Sequence, residues 1–232
     1  MSWPQFEPLG ECSLIVRWEQ KIDQSLNARV HALARAIAAA ALPGIEEIVP
    51  GYASLLLRFD PTYWGGQCAH AHEALRSRIE PMLRQAYPAL SGEILEIEVR
   101  YGGADGPDLV ALAAVHGLDP HEFVARHCAP TYQVAMLGFA PGFPYLLGLD
   151  VRLHSPRRST PRVRVPAGSV AIGGAQTGIY PSELPGGWHL IGRTRIRLFD
   201  AARKPPCLLK PGDRVRFVPI DGPAGASSEP GA

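Results

Sequence analysis

The fold turns on residues 136–194, MLGFAPGFPYLLGLDVRLHSPRRSTPRVRVPAGSVAIGGAQTGIYPSELPGGWHLIGRT. Glycine and proline are too dense here for a long helix, because proline lacks the N–H a helix needs and glycine loses the most backbone freedom on ordering. Yet Phe139, Phe143, Tyr145, Ile172, Ile179, Tyr180 and Trp188 supply apolar surface that a disordered linker lacks. The segment therefore predicts short strands and tight turns around a barrel-like core. Its turns offer backbone amides and several arginines, a combination that suits an anionic ligand.

Upstream, Leu14 to Trp18 reads as a strand. Asp23 is placed to N-cap a helix with an apolar seam at Leu26, Val30, Leu33 and Ile37, stopped at Gly44. Ile45 to Val49 and Tyr52 to Phe59 read as a hairpin around Pro50-Gly51, and a second helix over Ala69 to Gln85 is divided or kinked by Pro81. From Glu93 to Tyr101 apolar and charged residues alternate, as in a half-buried strand. The order β-α-β-β-α-β predicts a small ferredoxin-like sandwich. Downstream, Pro107 to His116 reads as a short helix and Asp119-Pro120-His121-Glu122 as a capping box opening another. Thr131 to Phe139, Arg193 to Phe199 and Arg214 to Pro219 read as strands, the last after a Pro211-Gly212-Asp213 turn. The expected fold class is α+β: an N-terminal α/β domain over 1–98, a β-barrel domain over 99–222 and a flexible tail over 223–232.

Of the 232 residues 46% are apolar, and 23 basic residues balance 22 acidic ones, so any cationic site must be a local cluster. This balance argues against nucleic acid or an anionic membrane as a partner. No signal peptide and no apolar run of roughly 18 residues is seen. The four cysteines form no C-x-x-C pair, as expected of reduced thiols in a cytoplasmic protein. Cys68, His70 and His72 do not share a helical face and lack a fourth ligand, so no metal site is expected.

The motifs GFAPGFPYL, PRVRVPAGSV and QTGIYP, with Ile22-Asp23, Leu26 to Val30, Tyr52 to Leu55, Tyr101-Gly102-Gly103 and Gly106 to Leu109, strongly resemble the KipI/PxpB family, also called the allophanate hydrolase subunit 1 family. The resemblance covers nearly the whole chain. It implies a cyclophilin-like C-terminal barrel and a partner of the PxpC/KipA (allophanate hydrolase subunit 2) type. With a PxpA-like third subunit it implies an ATP-dependent 5-oxoprolinase, which opens 5-oxoproline to L-glutamate at the expense of ATP. The same motif also fits a KipI-like inhibitor of a sensor histidine kinase, or an allophanate- or urea-processing subunit. The chain departs from the family pattern at Leu184, Arg195, Gly173 and Glu11, none of which removes a functional group.

A lactam carbonyl is a poor electrophile, and activation by ATP builds charge that arginines and backbone amides can neutralise. Arg162 and Arg164 share a face if their segment is extended, as do Arg193, Arg195 and Arg197, and Arg157 and Arg158 precede them. The bland alternative is a solvated sheet face. Arg158, Arg162, Arg164 and Arg193 are the candidate anion ligands, and Gln176 and Thr177 join them on the strength of the family motif. His189 is the candidate acid or base, weighed against a structural histidine, and Trp188 is read as a packing anchor.

Overall fold

The computed structural model describes residues 3–65, 68–84 and 93–220. It divides into two units, Met1–Ser91 and Gly92–Ala232. The division falls ahead of residue 98, the boundary expected from the sequence.

In the first unit, β1 (Gln5–Pro8), β2 (Ser13–Arg17), β3 (Ile45–Pro50) and β4 (Ser54–Phe59) form a sheet of order β1-β2-β4-β3. Helix α1 spans Gln24–Ala40 and α2 spans Cys68–Ile79. The Asp23 carboxylate accepts from the Leu26 N–H at 2.9 Å, so the cap is where the pattern placed it. The helix ends sooner than Gly44, at Ala41, whose φ of 45° is left-handed. Val30, Leu33 and Ile37 bury their seam against Leu14, Val16, Leu55 and Leu57. Buried Asn27 interrupts this apolar face, but its amide donates to the carbonyls of Gly51 and Tyr52 at 3.0 and 3.2 Å. That bond ties the helix to the β3–β4 turn. Pro81 ends α2, and residues 80–84 continue as a 3-10 turn.

The edge strands of this sheet are β1, paired antiparallel with β2, and β3, paired antiparallel with β4. The split βαβ reading assigned a strand at residues 93–101 to this sheet. That strand, β5 (Ile94–Tyr101), belongs to the second unit. Alternation identifies a half-buried strand, but nothing in it names the sheet.

The second unit adds α3 (Leu109–Val115), α4 (Pro120–Cys128), β6 (Tyr132–Leu137), β7 (Pro144–Leu147), β8 (Arg162–Val165), β9 (Ser169–Gly173), β10 (Gln176–Ile179), β11 (Leu184–Gly186), β12 (His189–Arg193) and β13 (Arg214–Pro219). Seven strands close a barrel in the order β10-β7-β6-β13-β5-β12-β9, and β8 pairs with β11 in a separate two-stranded sheet. Asp119 caps α4 through the Glu122 N–H at 2.9 Å. Ile97, Val99, Tyr101, Tyr132, Val134, Leu146, Val170, Ile172, Ile179, Ile191, Val215 and Phe217 belong to the barrel core, joined by Leu109, Leu112 and Phe123 from the helices. The strand expected over Arg193 to Phe199 ends at Arg193, and residues 194–198 lie outside any strand.

A second apolar cluster contains Phe143, Val165, Ala171, Tyr180, Trp188 and Leu190. Ala171 alternates with the core residues Val170 and Ile172, so this cluster sits on the outer wall of the barrel. The indole of Trp188 lies against two glycines of that wall. A Cβ at Gly173 would come within 2.5–2.6 Å of three of its ring atoms, and one at Gly178 within 3.1 Å of its Cζ3. Gly173→Ala is therefore expected to displace the ring and cost about 1–3 kcal/mol by overpacking. Thermal unfolding and tryptophan fluorescence, read together, check this: an unchanged Tm with an unchanged emission maximum would contradict it.

Candidate functional site

Asp108 is the hub of a partly buried polar cluster in the second unit. It occupies the N-cap position of α3 but makes no capping bond. Its carboxylate instead accepts from Arg162 at 2.8 and 2.7 Å, from Arg158 at 3.2 Å, and from the Leu190 N–H at 2.7 Å. Burial alone would raise the Asp108 pKa, but the Arg162 hydrogen bonds, the Leu190 N–H and the two guanidinium charges outweigh it and hold the pKa below the ordinary value. The group is an anion at neutral pH. The pairing with Arg162 is bidentate, which fixes the plane of the guanidinium as well as its position. Two arginines share one carboxylate, so one positive charge is left over. Arg158 spends one terminal nitrogen on Asp108, while its buried Nε has no hydrogen-bond partner among the described residues. A buried donor without an acceptor is costly, and an oxyanion bound here would satisfy it.

The aromatic wall adjoins this cluster. Leu190, whose N–H holds Asp108, follows Trp188 by two residues. The Arg157 guanidinium lies 6.0 Å from the Trp188 ring centre, a cation–π contact. Burial pushes the Tyr180 hydroxyl pKa up, against a hydrogen bond from the Trp188 main chain and the charges of Arg157 and Arg162. Phe143 packs edge-on against both Tyr180 and Trp188, at centroid distances of 5.2 and 5.8 Å. Phe139 is held at φ 67° and is 59% exposed, so the wall ends in an aromatic side chain presented to solvent.

His189 is partly exposed, and its Nε2 lies 2.9 Å from the Pro156 carbonyl. A carbonyl only accepts, so Nε2 carries the hydrogen and a neutral ring keeps its lone pair on Nδ1. That tautomer is equipped to take a proton at Nδ1. Pro156 precedes Arg157 and Arg158 directly, so one loop carries the histidine's anchor and both arginines.

The remaining expected residues do not join this cluster. Arg164 is largely solvent-exposed and pairs with Glu183 at 2.8 Å, as the solvated-face alternative predicts. Arg193 donates from Nε to the Ala167 carbonyl at 2.8 Å and lines a different cleft with Arg195 and Arg197. Gln176 is buried, two residues from Gly178 on the outward-facing side of β10. Thr177 is fully buried, and its hydroxyl donates to the Ala171 carbonyl at 3.0 Å and meets His127 Nε2 at 3.0 Å. That withdraws Thr177 from a ligand-contacting role: its neighbours in β10 alternate, so it points into the barrel while Gly178 faces out.

Thr177 ends a buried polar chain. The Cys128 thiol donates to the Tyr101 hydroxyl at 3.4 Å, which lies 2.8 Å from His127 Nδ1. Because the Thr177 hydroxyl donates to Ala171, it must accept from His127 Nε2–H, and the Tyr101 O–H then donates to Nδ1. His127 also stacks on Phe217 at 4.6 Å. Burial pushes its pKa down to about 3, so it is neutral in the folded protein.

Residues 4–209 match the family model described as carboxyltransferase domain, subdomain C and D. The chain belongs to that family. Among curated relatives, the 5-oxoprolinase B subunit of Bacillus subtilis strain 168 is 40% identical over 227 residues, covering 93% of this chain and 92% of that protein. The protein of the same name from Escherichia coli O157:H7 is 42% identical over 217 residues, covering 91% and 94%. These matches bear out the KipI/PxpB resemblance. Among solved structures, TTHA0988 superposes with a TM-score of 0.78 at 38% identity over 92% of this chain. The chain spans only 41% of that protein's length.

In this member of the carboxyltransferase-domain family, sequence reasoning missed Asp108 and His127. Asp108 was visible only as part of the Gly106 to Leu109 motif. An aspartate beside a helix start reads as a cap, and its diversion to arginines 50 and 54 residues away leaves no local signal. His127 lies in the last turn of α4, and its burial depends on where that helix meets the barrel. Among the described residues no helix is long and apolar enough to cross a membrane.

Proposed function

We propose that this chain is the B subunit of an ATP-dependent 5-oxoprolinase, inactive alone and working in the cytoplasm with PxpC/KipA-like and PxpA-like partners. The reading is carried by 40–42% identity to two proteins named as 5-oxoprolinase B subunits, over at least nine-tenths of each chain. We read the seven-stranded barrel as cyclophilin-like and its outer wall as the side that meets substrate.

The site chemistry agrees with that role. The carboxylate of 5-oxoproline is an oxyanion, and Arg158 offers the buried, unpartnered Nε–H that such a group needs. Arg162 acts beside it, its plane set by Asp108. Arg157 adds positive charge over Trp188. His189 Nδ1 is the group available to accept a proton during ring opening. ATP is a co-substrate of the assembly and supplies the phosphoryl group that activates the lactam oxygen. Gln176 supports the wall from β10, whereas Arg164 and Arg193 serve surface or partner contacts.

The test is glutamate and phosphate release from 5-oxoproline and ATP by the reconstituted three-subunit mixture, with and without this chain. Coupled release that requires the chain is the expected result. An intact assembly that releases neither product would overturn the reading.

A further inference from the structure

Three seams of the closed barrel are joined at only two residue pairs each, β10–β7, β13–β6 and β12–β5, and the last of them borders a cleft. Strand β12 pairs with β5 only at Gly192↔Tyr101 and Arg193↔Arg100. Beyond Arg193 the chain turns away, and the Thr194 N–H donates to the Gly168 carbonyl at 2.9 Å. On its other edge β5 pairs with β13 along all of Ile94 to Val99. The Ile220 N–H donates to the Val99 carbonyl, so Val99, Ile97 and Leu95 aim their main-chain groups at β13. The alternate residues Glu96 and Glu98 aim theirs the opposite way, toward the seam. A cleft of about 880 Å³ opens there, with Glu96, Glu98 and Arg100 along β5, Arg193 at the end of β12, and Arg195 and Arg197 beyond it.

The charges on the two walls do not neutralise each other. Arg216 pairs with Glu96, Asp105 lies 3.9 Å from Arg100, and Asp200 pairs with Arg197 at 3.3 Å. Among the described residues no ion pair engages Glu98 or Arg195. A polyanion would meet the glutamates and a polycation the arginines. An extended polypeptide carrying charges of both signs satisfies both walls, and its backbone matches the repeat of the main-chain groups at Glu96 and Glu98. An open strand edge invites pairing, and flanking charges restrict which strands are accepted.

We propose that this seam is a strand-addition site for a partner subunit: an extended segment enters between β5 and residues 194–197, pairs with the main chain of Glu96 and Glu98, and sets a basic side chain by Glu98 and an acidic one by Arg195. The proposal rests on the subunit reading above.

Hydrogen exchange on the full chain, alone and with the PxpC/KipA-like and PxpA-like proteins, tests it. The Glu96 and Glu98 amides are expected to exchange roughly tenfold or more slowly in the complex. Glu98→Pro removes an N–H aimed at the seam and spares the β13 ladder, so it is expected to weaken partner binding by roughly tenfold or more. Arg195→Glu, which does not touch the backbone, is expected to weaken binding in the same direction and serves if the proline variant does not fold. A complex that forms with unchanged exchange at both amides and tolerates Arg195→Glu would overturn the docking site and leave the subunit reading standing. Failure to bind either protein would overturn both.

Discussion

Replacing Asp108 with alanine is expected to disable the site and destabilise the second unit together. The substitution removes the acceptor of four hydrogen bonds, from Arg158, Arg162 and the Leu190 N–H. The Arg162 and Arg158 side chains are only 25% and 33% exposed, so water replaces the lost carboxylate incompletely. Breaking one side of such a partly buried pair costs about 3 kcal/mol, the low end for buried pairs because both arginines reach solvent. Urea unfolding of the isolated chain reads this directly. In the assembled enzyme kcat/KM for 5-oxoproline is expected to fall by roughly a hundredfold, since a guanidinium no longer held in its plane is misplaced by the order of an ångström. Asp108→Asn separates the two effects. It keeps an acceptor for the Leu190 N–H and preserves shape, so stability recovers more than activity does. Wild-type activity in Asp108→Ala would remove Arg158 and Arg162 from the site.

The second large effect is acid sensitivity from His127. Its folded pKa of about 3 lies below the ordinary 6.5, so between those values the unfolded chain binds a proton that the folded chain refuses. The stabilisation is complete above pH 6.5 and is lost as pH falls toward 3, at about 1.4 kcal/mol per pH unit. Protonation would also place a donor on Nδ1, which faces the hydroxyl of Tyr101. Burial holds the Tyr101 pKa well above its ordinary value, so no anion forms there to compensate. Urea unfolding from pH 7.5 to about 4.5 is expected to show this slope, and His127→Gln is expected to lose one proton's share of it. Parallel slopes for the two proteins would mean that His127 does not carry the effect.

Local signals in the chain were reliable where physics is local. The Asp23 and Asp119 caps formed as expected, because an aspartate, its neighbouring amides and a following apolar seam lie within one turn. Pro81 ended α2 and Gly212 took a left-handed φ of 91° in the turn before β13 for the same reason. At the site, Arg158, Arg162 and His189 were legible through the density of arginines and the tryptophan motif. Arg164 and Arg193 were grouped with them because strand alternation predicts a shared face, and it has no means of separating a solvated side chain from one held by a distant carboxylate.

By itself, the amino-acid sequence determined that this protein has an α/β segment followed by a β-rich unit built from short strands, and that its motif belongs to one family. Gly/Pro density, apolar periodicity and caps act over a few residues, and they need no tertiary context. Only the tertiary structure decided that β5 closes a barrel beside β12 and β13, that Asp108 gives up a helix cap to hold two arginines, and that Thr177 turns inward to His127. Each of these contacts joins residues 50 or more positions apart. Such pairings are set by which face of each strand the whole core must bury, a choice made only when all the elements pack together.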